Sequence, residues 1–402
     1  MGASHLMLGN VDEASRLLNE ALMQCQAVHL YSTLYTMNFL AEMQIAQGKL
    51  HQAAATSQEV ISKLGGRASI HSGLAYSRLS RLSREWNELA LAFRHMRQAI
   101  TLGEQAGQDI YMSPIYLASA QVLWARGEVR EALAVLDKAE QVAQRLGHHR
   151  ATEQARAFRA QMELAQGNLA PAERWSKEAG IGVSEEPVYE RETGYLMLAR
   201  LRMAQHRAEE AVGLVERLLA ADEAAGRTGN AIAVLALLAL AHWQRGNAEQ
   251  ALRVLGRLLV LTEPEGYVRV FVDEGPPMQT LLAAWLSSPP QQHGSMGTSP
   301  SAEYVRKLLA AFPSSEVLPA GSHEGARREE TDTSLTPLLE PLTTRELNVL
   351  ELLAAGLSNA EIAARLTVTV GTVKTHVKSI YGKLGVHSRT QAIARAHELG
   401  LL

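Results

Sequence analysis

One cysteine, Cys25, occurs in 402 residues, which excludes an internal disulfide and any cysteine-based zinc cluster and fits a reducing compartment. Aromatic residues make up only 5% of a chain that is 47% apolar, so a core of alanine and leucine is expected, which favours close helix packing over a β-sandwich. No Gly-x-x-x-x-Gly-Lys-Ser/Thr loop is present, so no nucleotide and no other cofactor is expected. Paired carboxylates, a nucleophile elbow and metal-ligand spacing are missing as well, and an enzyme is not expected. His148 and His149 are adjacent and point apart on a helix, which speaks against a metal site there. The chain does not open on a basic segment followed by an apolar one, so no signal peptide is expected. The most apolar run, Ala231 to His242, is too short to span a bilayer and reads as a buried helix. These absences point to a cytoplasmic protein without membrane contact.

What is present is a repeat. Gly-x-x-x-x-Ala recurs at Gly9/Ala14, Gly48/Ala53, Gly127/Ala132, Gly167/Ala172 and Gly246/Ala251, and weaker copies at Glu85/Ala90 and His206/Ala211 fill the gaps at a spacing of about 40 residues. A left-handed glycine ends one helix, a short turn follows, and a small alanine near the start of the next helix lets the two pack closely. One such hairpin cannot bury its own apolar face. The copies should therefore stack into an all-α superhelix with a concave surface, over residues 1–286. Trp86, Trp124, Trp175 and Trp243 fall within these helices and are expected in the packing. Leu6 to Leu8 read as the last turn of a helix whose beginning is absent, which suggests a fragment, a truncated product or a short relative.

Beyond the repeats, Val268 to Val272 reads as an extended connector or a helix end, with a helix over about 278–286. Residues 287–301 and 313–341 are rich in Ser, Pro, Gly and Glu and read as flexible linker. Between them Ala302 to Phe312 should form a short amphipathic helix, docked on the repeats or on the terminal domain. Glu329, Glu330 and Asp332 are candidates to screen a basic surface. From Leu342 onward seven Lys or Arg stand against four Asp or Glu, so that end carries +3 and the preceding 341 residues −6. The basic end is the candidate for nucleic acid.

Residues 342–402 can be divided by capping chemistry. Thr343 with Glu346 and Ser358 with Glu361 form Ser/Thr-x-x-Glu boxes, Thr369 is a third cap, and Gly356 and Gly385 are left-handed stops. Helices are expected over 343–355, 358–366 and 370–384. On the third, Val373, Val377, Ile380 and Leu384 make one apolar stripe, while Gly371, Lys374, Thr375 and Lys378 share a polar, cationic face without a carboxylate. A helix of this kind docked on a shorter one after a tight turn suits the major groove. His376 lies between the two faces, as a packed or phosphate-contacting residue.

The stretch resembles the LuxR/NarL-type helix-turn-helix family through Leu342, Thr343, Arg345, Glu346, Val349, Leu350, Gly356, Ser358, Asn359, Glu361, Ile362, Ala363, Leu366, Thr372 to His376, Lys383, Leu384, Val386 and Arg389. The repeats resemble tetratricopeptide-type hairpins, and the combination is similar to the MalT-like branch of large regulators, here without the nucleotide-binding domain that precedes the repeats in that branch. The resemblance implies a four-helix DNA-binding domain. Thr372, Lys374, Thr375, Lys378, His376 and Arg389 would be its DNA-binding residues. A last helix from Ser388, boxed by Gln391, would serve a homodimer on double-stranded DNA through Ala392, Ile393 and Ala396. The repeats would sense a small-molecule or protein effector. The alternative is a repeat-based interaction scaffold whose terminal domain does not read DNA by itself.

Overall fold

The computed structural model describes residues 2–25, 30–65, 67–287, 300–313, 344–354, 357–366, 369–384, 386 and 389–398, and every regular element among them is helical. The chain divides into two compact units, Met1–Ser315 and Glu316–Leu402.

In the first unit, Gly9, Gly48, Asn87, Gly127, Gly167, His206 and Gly246 adopt left-handed backbone, with φ between 59° and 85°, at steps of 39 or 40 residues. Each separates the helices of one hairpin: α1 (Gly2–Met7) and α2 (Val11–Cys25), α3 (Leu30–Ala46) and α4 (Leu50–Leu64), α5 (Ile70–Glu85) and α6 (Leu89–Ala106), α7 (Met112–Ala125) and α8 (Val129–Arg145), α9 (His149–Ala165) and α10 (Leu169–Ala179), α11 (Glu192–Ala204) and α12 (Ala208–Ala224), α13 (Thr228–Gln244) and α14 (Ala248–Thr262). Five residues after each turn stands an alanine with no accessible surface: Ala14, Ala53, Ala92, Ala132, Ala172, Ala211 and Ala251. A larger side chain there would wedge the second helix off the first. The third copy sits two residues later than the Glu85/Ala90 reading, because Asn87 takes the left-handed position and Ala90 is exposed. Asparagine tolerates that backbone better than most residues.

The run Ala231 to His242 lies in α13, where all but Ala233 are buried. Trp175 is buried and Trp86, Trp124 and Trp243 are half-buried against the core. No described helix is long and apolar enough to cross a membrane.

The hairpins curl until the first three meet the last two and the segment that follows them. Arg227 Nη1 donates to the Gly9 carbonyl (3.0 Å), and Gly229 lies so close to the Ile45 carbonyl that a Cβ would stand 2.1 Å from it. The His51 amide donates to Glu265 Oε2 (2.9 Å), and Trp86 Nε1 to the Glu265 carbonyl (2.9 Å). The Val268 and Val270 amides donate to the Glu85 carbonyl and carboxylate (3.0 and 2.8 Å), and Arg84 pairs with Asp273. These contacts explain α15 (Arg269–Val272), where an extended connector or helix end was expected. Docking against the third turn, with Val268 and Phe271 inside, makes it helical.

Gly275 then turns the chain into α16 (Pro276–Ser287). Helix α17 (Ala302–Ala310) settles the docking that the sequence left open. Its N-cap Ser301 bonds Glu263, Tyr304 Oη donates to the Tyr267 carbonyl (2.5 Å), and Val305 and Leu308 are fully buried. The repeat unit therefore continues beyond 286. Of the linkers expected over 287–301 and 313–341, residues 288–299 and 314–341, including Glu329, Glu330 and Asp332, lie outside the described residues, while Ser287 ends α16 and Ser301 caps α17.

The second unit contains α18 (Thr344–Ala354), α19 (Asn359–Leu366), α20 (Val370–Leu384) and α21 (Arg389–Glu398) around Val349, Leu350, Ile362, Val373, Ile380 and Ala392. The caps expected at Thr343 and Ser388 and the stops at Gly356 and Gly385 lie outside the described residues.

Candidate nucleic-acid interface and candidate effector cavity

Helix α20 is positioned from both ends. At its start the Thr372 amide donates to Thr369 Oγ1 (3.1 Å), as the capping pattern predicts. The helix before it begins with a reciprocal box: the Ser358 amide donates to Glu361 Oε2 (2.7 Å) and the Glu361 amide to Ser358 Oγ (3.4 Å). These bonds from Ser358 hold the Glu361 carboxyl below the usual range. Toward the other end Glu346 reaches across from α18, accepting from Ser379 Oγ (2.5 Å) and Lys383 Nζ (2.9 Å). Sequence reasoning assigned Glu346 to a cap and missed this clamp, because nothing local links residues more than 30 positions apart.

Between these anchors Val373, Ile380 and Leu384 are buried and Val377 is half-buried, while Gly371, Thr372, Lys374 and Thr375 are exposed. His376 is half-buried at the boundary. The Thr375 hydroxyl donates to the Gly371 carbonyl (3.1 Å). The Lys378 side chain is outside the described residues.

The last helix packs on its own domain. Arg389 is half-buried and its Nη2 donates to the Leu353 carbonyl (2.5 Å) at the end of α18. Ala392 and Ala396 have no accessible surface and belong to the core of their own domain. Side chains enclosed within one copy cannot meet a second. Ile393 is half-buried.

The repeat unit offers a cavity of about 370 Å³ on its concave face, lined by α3, α5, α7, α9, α11 and α13 and by Tyr189 just before α11. Its polar side chains include Glu42, Arg81, Gln121 and Gln161, each six residues before a turn residue of its hairpin. That register is a signal the sequence carries, although no residue was read from it. Behind this wall Arg78 is buried and donates to Glu42 (2.8 Å) and Asn38 (2.7 Å). Burial opposes the charge on Glu42, but the Arg81 and Arg78 guanidiniums prevail and hold its carboxyl below the usual range.

On the far wall Arg150 and Arg227 both lie over the Tyr189 ring, at 4.9 and 4.8 Å. Asn230 Nδ2 donates to both oxygens of Glu192 (2.9 Å each). Burial, with Asp222 nearby, pushes the Glu192 carboxyl up to about 7. No group of three or more His, Cys, Asp or Glu with metal-holding geometry occurs among the described residues.

A solenoid of helical hairpins stands in one chain with a capped helix-turn-helix whose third helix shows a carboxylate-free cationic face, an arrangement suited to a DNA groove. Residues 1–288 match the family described as the MalT-like TPR region, and residues 340–396 match the luxR family of bacterial regulatory proteins. The chain belongs to the MalT-like family and carries a terminal region of the luxR family of bacterial regulatory proteins. Among solved structures it is similar to a Signal Transduction ATPase with Numerous Domains (STAND) protein with a tetratricopeptide repeat sensor from Pyrococcus horikoshii. That match has 14% identity and a TM-score of 0.41, and it covers 75% of this chain and 45% of that one.

Proposed function

We propose that this chain regulates transcription by binding double-stranded DNA as a homodimer through α20, under the control of an effector held in the concave cavity of its repeats. The observation that carries the DNA reading is the exposed face of Thr372, Lys374 and Thr375 on a helix without a single carboxylate, anchored at Thr369 and Glu346. In this reading Lys374 and Thr375 meet base edges, with Lys378 beside them. Thr372 and the positive end of α20 meet phosphate, and His376 packs at the edge of the contact. Dimerisation falls to the outward side of α21, where Ile393 is the one expected residue not fully enclosed.

The effector reading is supported by where the cavity lies. Its size suits a small molecule, and its walls come from α3 near one end of the solenoid and α13 near the other. A ligand touching both would favour the closed form, and its preference for that form is the free energy available for signalling. A change of solenoid closure is then the event the DNA-binding unit must read.

The experiment is fluorescence anisotropy at two salt concentrations on a duplex selected from a random pool, with the intact chain and Lys374→Ala. If Lys374 reads a base, the variant loses about 1–3 kcal/mol for the selected site and little for random duplex. A phosphate contact instead weakens all duplexes alike and flattens the salt slope by roughly one unit. An intact chain that selects no site overturns the regulator reading in favour of a scaffold.

A further inference from the structure

The walls of the concave cavity are not neutral. Among its lining residues Arg81 and Arg150 stand against one acid, Glu42; Arg78 stands directly behind that acid, and Glu192 lies behind the lining, held by Asn230. The Glu42 carboxylate is shared between two guanidiniums, with Arg78 Nε at 2.8 Å and Arg81 Nη1 at 3.2 Å, so this wall keeps a surplus positive charge. In a half-enclosed site of reduced dielectric such a surplus acts more strongly than on an open surface.

Between the charged walls the side-chain amides of Gln121, Gln154 and Gln161 are half-buried and hydrogen-bond to none of the described residues. None of these amide atoms is sealed from solvent, and each amide can donate two hydrogen bonds to a ligand. The same helices, α7 and α9, set Leu117 and Phe158 beside them as an apolar strip.

We propose that the cavity takes a small organic anion, a carboxylate or a phosphate, that also presents a flat apolar face; this rests on the effector reading above. The anion's oxygens accept from Arg81 and from the glutamine amides, and its apolar face lies on Leu117 and Phe158. A cation would meet Arg81 and Arg150 as like charges. A purely apolar ligand would seal the three amides away from water without bonding them. The cavity has room for roughly a dozen water volumes, which sets the scale of the ligand at one or two rings.

The test is calorimetric titration of the full chain with three probes on one aromatic body: 1-naphthoate, 1-naphthyl phosphate and neutral 1-naphthamide. The expected result is one site per chain that prefers at least one anion over the amide by about tenfold or more, the worth of one charge-assisted hydrogen bond. Whichever anion binds more tightly identifies the headgroup. Arg81→Gln should remove the preference and Arg81→Lys should retain most of it, with melting temperatures confirming that both variants fold. Equal binding of all three probes, blocked by a Leu117→Trp plug, overturns the anion proposal and leaves the effector cavity standing. Failure of all three to bind overturns the proposal. Anion binding that the plug does not alter overturns both it and the cavity as the effector site.

Discussion

At the scale of single residues, Glu192 shows what enclosure does to a charge. It is 7% exposed, is held by Asn230, and shares its surroundings with Asp222, Arg227 and Arg150. Its folded pKa of about 7 stands above the ordinary 4.5, so the folded state binds more protons than the unfolded chain between those values. Stability from this group is therefore present at low pH and is lost as pH rises through that window. His71, His95 and His242 are shifted downward by burial and work in the opposite sense, so a wild-type profile mixes them. Glu192→Gln removes this carboxyl together with its coupling to Asp222. Its stability relative to wild type should climb by up to about 3 kcal/mol between pH 5 and pH 8 in urea titrations. A flat difference would mean that Glu192 titrates normally. None of this was legible in the sequence, where Glu192 is one of many glutamates on polar helices. Its neighbours come from α9, α12 and α13, and only the fold brings them to it.

Among the elements, the helices of the DNA-binding unit were nearly all readable, because capping, apolar spacing and turn residues are local. The observed limits of α18 to α21 fall within a residue or so of those expected. The roles on α21 were not readable, because an alanine stripe has the same spacing whether it faces its own domain or another copy. The structure assigns Ala392 and Ala396 inward and turns Arg389 onto the end of α18. Arg389→Ala should therefore destabilise this unit by about 1.5–3 kcal/mol, the range for a hydrogen bond from a charged group. It should also leave the salt slope of DNA binding unchanged, since no phosphate contact is lost. Hydrogen exchange of the α18 amides measures the first effect and anisotropy the second. A reduced slope with unchanged exchange would return Arg389 to the DNA. Helix α15 shows the converse limit, since four of the five residues that read as an extended connector or a helix end form a helix docked on Glu85.

The whole repeat unit depends on closure. Where the last hairpin meets the second, Gly229 leaves no room for a side chain against the Ile45 carbonyl, and at the neighbouring joint Arg227 is bonded to both Gly9 and Asp222. Gly229→Ala forces a backbone shift at this joint, at a cost of about 1–3 kcal/mol or more. Because the cavity draws walls from α3 and α13, the same substitution should open it. Small-angle scattering should report an expanded unit, and limited proteolysis should cut near the turns of the first three hairpins. An unchanged scattering profile would show that closure does not depend on this contact.

The sequence by itself determined the helical hairpin, its period, the buried alanine after every turn but the third, and the capped helix-turn-helix with its cationic face. Each of these depends on groups within about one helical turn of one another, or on a repeat that announces itself. Only the tertiary structure decided that the solenoid closes on itself, that α17 packs on the repeats, that Glu346 clamps α20, and that Ala392 and Ala396 belong to their own core. Those features join residues far apart in the chain. Their energies depend on burial and on partners that no local spacing encodes, so the curl of the stacked hairpins had to be seen before its seam and its cavity could be.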